Sequence, residues 1–543
     1  MPDGAEPTDR VPRIETPQRP VPRLDSISMS TETTPTAPVD TEAVTPETAP
    51  AESGDESLTP APVRKRPVMS RQLVDWLGRD WEPAPRMPHP AEGSGVAEHA
   101  ARRRDALSEH FAGQLVVVPS GQMKVRANDT DYAFRAASPF VWLTGETVEG
   151  AVLVMTPRAG ASGHDATMYI RAYHAAGTEG YFTDHLFGAI WVGNVPTPAE
   201  TGEVLSLPTR PLSDLPHALE PWRDRECALL RGHDALLDPL LPKGTGDRLA
   251  AVIDELRLVK DDWEIGRLKH ACDATARGFG DVVREIPGLL DRPVRGERWL
   301  EGTFWRRARL EGNDVGYTSI VGSGAHGTTL HWWRNNGQLR SGDLLLADMG
   351  IETEEIHTAD VTRTFPLTTE WSPTQRTVYQ AVLEAQEAGI AEAKVGNDFL
   401  AANRACMRVL AEHLHSWGIL DVSPDVSCSD DVDAPGAGRH RRWTLHGVSH
   451  SLGLDVHDCA QARDEAYLHG KLGVNHVLTV EPGLYFQVND LSVPAEFRGI
   501  SVRIEDDIQV TADGPVNLSA GLPRDPDEVT AWMREMQATP TPF

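Results

Sequence analysis

The chain has 543 residues, a formal net charge of −28 and a pI of about 5.1. Its length suggests two or three domains, and its acidity disfavours nucleic acid as a partner, since a nucleic-acid binder needs a basic face. No apolar run approaches the roughly 20 residues that span a bilayer, so no membrane partner is expected.

Residues 1–70 read as a disordered, acidic, Pro/Thr-rich tail. They contain no Phe, Trp or Tyr, and carry twelve Asp/Glu against seven Lys/Arg. Such a segment cannot bury enough apolar surface to offset its ordering entropy. The first residues lack a basic start followed by an apolar stretch, so no secretory signal is expected. The five cysteines (Cys227, Cys272, Cys406, Cys428, Cys459) are odd in number and never form a CxxC pair. A reducing, cytoplasmic location follows from both.

Residues 71–254 read as a mixed α/β domain. Arg71-Gln72-Leu73-Val74-Asp75-Trp76-Leu77 starts a helix. Leu115-Val116-Val117-Val118-Pro119, Phe140-Val141-Trp142-Leu143-Thr144-Gly145 and Ala151-Val152-Leu153-Val154-Met155 read as strands. No phosphate-cradling glycine loop occurs; Gly322-Ser323-Gly324 lacks the third glycine and a following lysine.

Residues 255–265 read as a junction leading into a long helix, and a second domain runs over 255–520. Leu344-Leu345-Leu346-Ala347-Asp348 and Val361-Thr362-Arg363-Thr364 read as buried strands joined by a hairpin through residues 350–355. That hairpin would bring Asp348 and Asp360 together in the interior, where like charges are costly without a proton or a cation. For an isolated pair, two strand-end aspartates capping turns is the commoner case. Ser372 as N-cap, Pro373 at N1 and Gln375 at N3 start a helix that Gly396 could stop. Asn397 is the expected cap of the next one. Residues 421–442 read as an exposed insertion, and residues 521–543 as a short helix and tail.

Three further segments change the weight of the aspartate pair. Residues 445–458 place His446, His450 and His457 in a glycine-punctuated apolar stretch. Leu478-Thr479-Val480-Glu481-Pro482-Gly483 is a strand ending in a carboxylate. Ile500-Ser501-Val502-Arg503-Ile504-Glu505 alternates, with Arg503 and Glu505 on one face. Four strand-associated carboxylates and a histidine-rich turn suit Mn²⁺, Co²⁺ or Zn²⁺ better than a thiolate-selected metal. They exceed what one catalytic ion needs, so two ions sharing carboxylates is the economical reading.

The order Asp, Asp, His, Glu, Glu in these settings resembles the pita-bread metallopeptidases: methionine aminopeptidase, aminopeptidase P and prolidase. The similarity is greatest to aminopeptidase P, the Xaa-Pro aminopeptidases of family M24. It rests on residues 318–324, 446–458, 481–485, 498–500 and 503–507, and on Asn128-Asp129-Thr130-Asp131-Tyr132 and residues 140–145 in the first domain. The resemblance implies an α+β fold, with a pita-bread catalytic domain preceded by a smaller α/β creatinase-type domain. It implies that Asp348 holds one metal, His450 and Glu481 the other, and that Asp360 and Glu505 bridge them. Mn²⁺ is the first expectation, with Co²⁺ or Zn²⁺ as alternatives. Water between the ions would attack, Glu481 would act as general base, and His457 would donate to the oxyanion. His331 and His446 fall where the family contacts substrate, and Arg503 holds neighbouring carboxylates or substrate. The expected activity is release of the N-terminal residue from peptides with proline second. The alternatives are a prolidase cleaving Xaa-Pro dipeptides and a non-catalytic binding module; a homo-oligomer, dimer or tetramer, is also expected.

Two departures stand out. Asp348 and Asp360 are twelve positions apart where the family has eleven, so the loop should bulge. His357 stands where the family has an aromatic, and reads as an exposed hairpin histidine. Cys459, beside His457-Asp458, reads as a buried structural thiol.

Overall fold

The computed structural model describes residues 69–160 and 162–539. The acidic tail expected over 1–70 therefore lies outside the described residues except for its last two. Ser70 caps the helix Arg71–Leu77, its side chain accepting from the Leu73 N–H.

The first half is built on a six-stranded mixed sheet. Its order is Thr209–Pro211, His164–Ile170, Val152–Pro157, Val116–Pro119, Cys227–Leu229, Gly244–Thr245. Val116–Pro119 lies at the centre, antiparallel to Val152–Pro157 and parallel to Cys227–Leu229. Every residue of this central strand is buried, because both faces are covered, and a doubly covered strand reads as an unbroken apolar run. Val116, Val118, Leu153 and Met155 face a core shared with the helices Val96–His110 and Asp247–Arg257. Val117, Val152 and Val154 face the opposite core with Leu215 and Leu241.

Residues 140–145 are not a strand. Ser138–Thr144 is a helix, with Pro139 in its first turn and Gly145 at φ 75° as its C-cap. Six of its seven residues are buried, so the run shows no polar face from which a period of 3.6 could be told from a period of two.

The second half combines four small sheets with long helices, one of them the pair Asp314–Val315 and Ile351–Glu352. Ile320–Ser323, Leu344–Asp348 and Thr362–Pro366 form an antiparallel sheet in which Asp348 lies opposite Thr362. Val477–Val480, Asp506–Thr511 and Gly514–Asn517 form the second. Gly483–Tyr485 and Ser501–Arg503 form the third. The alternating run expected over 500–507 is thus split. Ser501–Arg503 pairs with one neighbour and Asp506–Thr511 with another, leaving Ile504 and Glu505 at the switch. The helices Asp262–Leu289, Gly296–Glu311, Pro373–Glu392, Ala401–Ser416 and Pro526–Ala538 share one core with these sheets. Asp261 and Ser372 each close a capping box, with Glu264 and Gln375. Asn397 does not cap the second helix of the pair, which starts after Leu400; its amide donates to the Glu392 carbonyl at the end of the first. The first of the pair ends at Glu392, four residues before Gly396.

Residues 421–442 contain a short helix, Pro424–Ser427, and a buried Ser427–His440 contact of 2.8 Å. The rest of the segment is exposed or half-buried, as expected, and this contact anchors it. Among the described residues, no helix is long and apolar enough to cross a membrane.

Candidate active site

The two halves of the aspartate hairpin pair as expected, but the connection does not project into solvent. Ile351–Glu352 pairs with Asp314–Val315, and Glu352, Thr353, Ile356 and His357 are all buried. The connection turns where Thr353 N–H donates to His357 O at 2.8 Å. Ile356 within it adopts φ 59°, which is costly for a β-branched residue. His357 is only 2% exposed, against the expectation of a surface histidine. The loop folds against the start of the helix Asp262–Leu289, so the ring stands edge-on to Trp263 at 5.4 Å.

Asp348 ends its strand and Asp360 precedes the next, so both carboxylates emerge at one sheet edge. Glu481 follows the strand Val477–Val480, its N–H held by Val448 O at 2.9 Å. Glu505 sits at the strand switch, its N–H donating to Thr362 O at 3.1 Å. His450 reaches in from the loop alongside. Its Nε2 lies 3.3 Å from Asp360 Oδ2 and 3.5 Å from Glu481 Oε1. Ligand atoms of Asp360, His450 and Glu505 all lie within 4.8 Å of one another. Asp348, Asp360, His450, Glu481 and Glu505 line one cavity of about 620 Å³, together with His331, His446, His457 and Arg503.

The histidines divide by environment. His457 and His331 are exposed toward the cavity. His446 is held by the Tyr485 hydroxyl at 2.8 Å and lies 3.6 Å from Glu481. The His450 and His457 rings are 4.5 Å apart, nearly perpendicular. Arg503 is buried, donating to Asp348, to Thr362 Oγ1 at 3.0 Å and to the Tyr485 hydroxyl at 3.0 Å.

Residues 266–512 match the family model for metallopeptidase family M24, and residues 99–227 match that for the aminopeptidase P N-terminal domain. Xaa-Pro aminopeptidase 1 of Streptomyces coelicolor is 46% identical over 509 residues, covering 91% of this chain and 99% of that protein. The Xaa-Pro aminopeptidase of Escherichia coli is 32% identical over 460 residues, covering 80% and 96%. A solved structure of an E. coli aminopeptidase P variant in complex with substrate matches with a TM-score of 0.70 at 28% identity, covering 82% of this chain and 99% of that one. The chain belongs to metallopeptidase family M24. It has the aminopeptidase P organisation, an N-terminal α/β domain followed by a pita-bread domain.

The electrostatics of this M24 site ask for positive charge. Burial pushes Glu505 well above the usual carboxylate range, and Asp360, Glu481 and Asp348 add to it. Burial likewise pushes Glu481 up to about 7, with His450 opposing and Asp360 reinforcing. Asp348 is raised by burial, against the pull of Arg503. His450 is raised too, for a different reason: burial would lower it, but the Asp360 hydrogen bond and the Glu481 charge bring it up to about 9. An oxygen-rich set with one imidazole, at this spacing and under this mutual repulsion, fits divalent cations of the Mn²⁺, Co²⁺ or Zn²⁺ type.

Several groups that hold the candidate ligands of this M24 site were not legible in sequence. The Tyr317 hydroxyl donates to Asp348 Oδ1 at 2.6 Å, and Thr362 Oγ1 donates to Glu505 Oε2 at 2.6 Å. The Asp360 N–H donates to Asp507 Oδ2 at 3.1 Å. Only the closeness of Tyr317 to the run 318–324, and of Thr362 and Asp507 to two candidate ligands, could have drawn attention to them. Cys459 is buried, as expected, and burial beside Asp458 raises its thiol far above the ordinary range.

Proposed function

We propose that the chain is an Xaa-Pro aminopeptidase: a metal-dependent exopeptidase that releases the N-terminal residue from peptides with proline second. The observation that carries this is the convergence of four carboxylates, three of them buried, and four histidines on one cavity of about 620 Å³, in a chain of this family. Relatives over most of the chain that bear the name Xaa-Pro aminopeptidase favour this over a prolidase. A non-catalytic binding module would have no use for a repelling carboxylate cage.

In this reading Asp348, Asp360, His450, Glu481 and Glu505 hold two divalent ions, Mn²⁺ first, with Co²⁺ or Zn²⁺ as alternatives. The ions supply Lewis acidity that lowers the pKa of water and polarises the scissile carbonyl. Glu481 takes the proton of the attacking water, a task suited to a carboxyl near 7. The same proton passes to the departing proline nitrogen. His457, exposed to the cavity, donates to the oxygen on which charge develops. His331 and His446 contact the peptide, His446 oriented by Tyr485. Arg503 fixes Asp348 and leaves the cavity open beyond the proline.

The division into domains at 254/255 belongs to the same proposal. Leu249 and Ile253 pack into the first core, whereas Phe279, Val282 and Ile286 pack into the second, which supports it. Five free cysteines support a cytoplasmic setting. Exposed Ile190, Trp191 and Val192 support self-association into a dimer or tetramer.

Metal analysis by mass spectrometry tests the cage. The protein should bind two divalent ions per chain. Asp360→Asn and Glu505→Ala should lose metal and activity while keeping their circular dichroism. Full activity with one ion or none would refute the two-ion reading.

A further inference from the structure

The structure points to Arg135, in the segment that matches the N-terminal domain, as a positioning residue for the catalytic centre more than 200 positions away. We infer that its guanidinium clamps together the two loops that carry the site. This rests on the reading of that site as a peptidase centre.

The first loop runs from Asp348 to Asp360, and Glu352 lies within it. Arg135 Nε donates to Glu352 Oε2 at 2.7 Å. The Glu352 side chain is only 4% exposed, and its other oxygen accepts from Asn313 Nδ2 at 2.8 Å. The second loop runs from His450 to His457, and Leu454 and Asp455 lie within it. Arg135 Nη2 donates to Leu454 O at 2.7 Å, and Nη1 lies 3.1 Å from Asp455 Oδ1. Ser138 receives from Nη1 at 3.2 Å and donates to Asp455 Oδ1 at 2.7 Å, so the same N-terminal segment holds that carboxylate twice. One rigid planar group thus fixes the angle between three acceptors on two loops, which an ammonium cannot do.

A backbone bond also joins the loops directly, Thr358 N–H to Gly453 O at 3.0 Å. The Arg135 contacts lie next to it, at the middle of each loop, where an anchor most restricts both ends. Those ends carry Asp348 and Asp360 on one side and His450 and His457 on the other. Catalysis of this kind is sensitive to placement: a misplacement of about 1 Å can cost about 10²-fold. The N-terminal segment would then act on turnover without touching substrate.

The test is hydrogen exchange and kinetics on the full chain. In Arg135→Ala, amides of residues 349–361 and 449–459 should exchange about tenfold faster or more, with the six-stranded sheet unchanged. With an Xaa-Pro-Xaa tripeptide, kcat should fall about 10–100-fold and KM should stay within about threefold, the pattern of lost positioning. Arg135→Lys should lie between, because it keeps the charge and loses the three-way geometry. If exchange rises in neither loop or in one alone, the clamp is wrong. It is equally wrong if exchange rises throughout the sheet. Should Arg135→Ala fail to fold, Arg135→Lys carries the same test with the same deciding outcomes. A wild-type protein that does not cleave the tripeptide would refute the activity, while the exchange arm would still decide the clamp.

Discussion

His450 and His457 are seven residues apart on one loop and their rings nearly touch, yet their surroundings give them different work. His450 sits between the oxygens of Asp360 and Glu481. His457 faces the open cavity. His450→Ala should therefore lose metal. His457→Ala should keep its metal and lose about 10²–10³ in kcat, the loss expected for an oxyanion donor. Metal counts and steady-state kinetics on the two variants would show this, and identical behaviour would remove the distinction. The next residue makes a stability prediction. Burial would push Asp458 up, but Arg257 and Lys260 outweigh it and hold its carboxyl well below the usual range. Lys260 Nζ donates to it at 2.9 Å and Arg257 contacts its other oxygen. A depressed carboxylate contributes stability above its unfolded pKa near 4, lost as pH falls through the folded value. Asp458→Asn takes the carboxylate partner from buried Lys260 and leaves Arg257 with Asp254 and Asp455 only, and should cost about 3–5 kcal/mol in urea denaturation at pH 7. The four candidate carboxylates were legible because each ends or adjoins an apolar strand, a place where a carboxylate needs a reason. His357 was misread because a histidine between two strands gives no sign that its loop folds under Trp263.

Helices were legible where a cap announced them. Ser372 and Gln375 bracket the start of Pro373–Glu392, and both reciprocal bonds of the box are present. That helix also carries Gln386, whose amide donates to Asp506 Oδ2 at 2.9 Å, one residue from Glu505. Ser372→Ala should cost about 0.5–2 kcal/mol by denaturation and leave kcat/KM unchanged, since the end that frays is far along the chain from Gln386. A fall in kcat/KM would show that the cap, not packing, sets the position of Gln386. Elements whose environment is uniform were not legible. In residues 138–144 burial on nearly all sides erased the periodicity. In residues 501–507 the alternation was real, but a change of partner strand at Glu505 leaves no mark on composition. Arg135 was out of reach for a different cause: its partners lie 217 and 319 positions away, and nothing local predicts them.

At the scale of the molecule, the cage couples metal, pH and stability. With no cation bound, Glu481 is raised to about 7 and His450 to about 9. Both shifts are upward, so both withdraw stability as pH rises: Glu481 between about 4.5 and 7, His450 between about 6.5 and 9. His446, lowered by burial to about 4, opposes them only below about 6.5. The melting temperature of metal-stripped protein should therefore fall from pH 6.5 to 9, and saturating Mn²⁺ should raise it most at the alkaline end. Thermal melts with and without the ion would show this; equal gains at both pH values would contradict it. The central claim is the substrate class, and it depends on a cavity open beyond the proline. Arg503 is the basic group expected to compete for a proline carboxylate, but it is buried on Asp348, Thr362 and Tyr485. The deciding measurement is kcat/KM of the metal-loaded protein on a dipeptide, a tripeptide and a pentapeptide sharing one Xaa-Pro start. We expect cleavage at the Xaa–Pro bond with higher kcat/KM for the tripeptide and pentapeptide than for the dipeptide. Strong hydrolysis of the dipeptide alone would contradict the account and make the enzyme a prolidase.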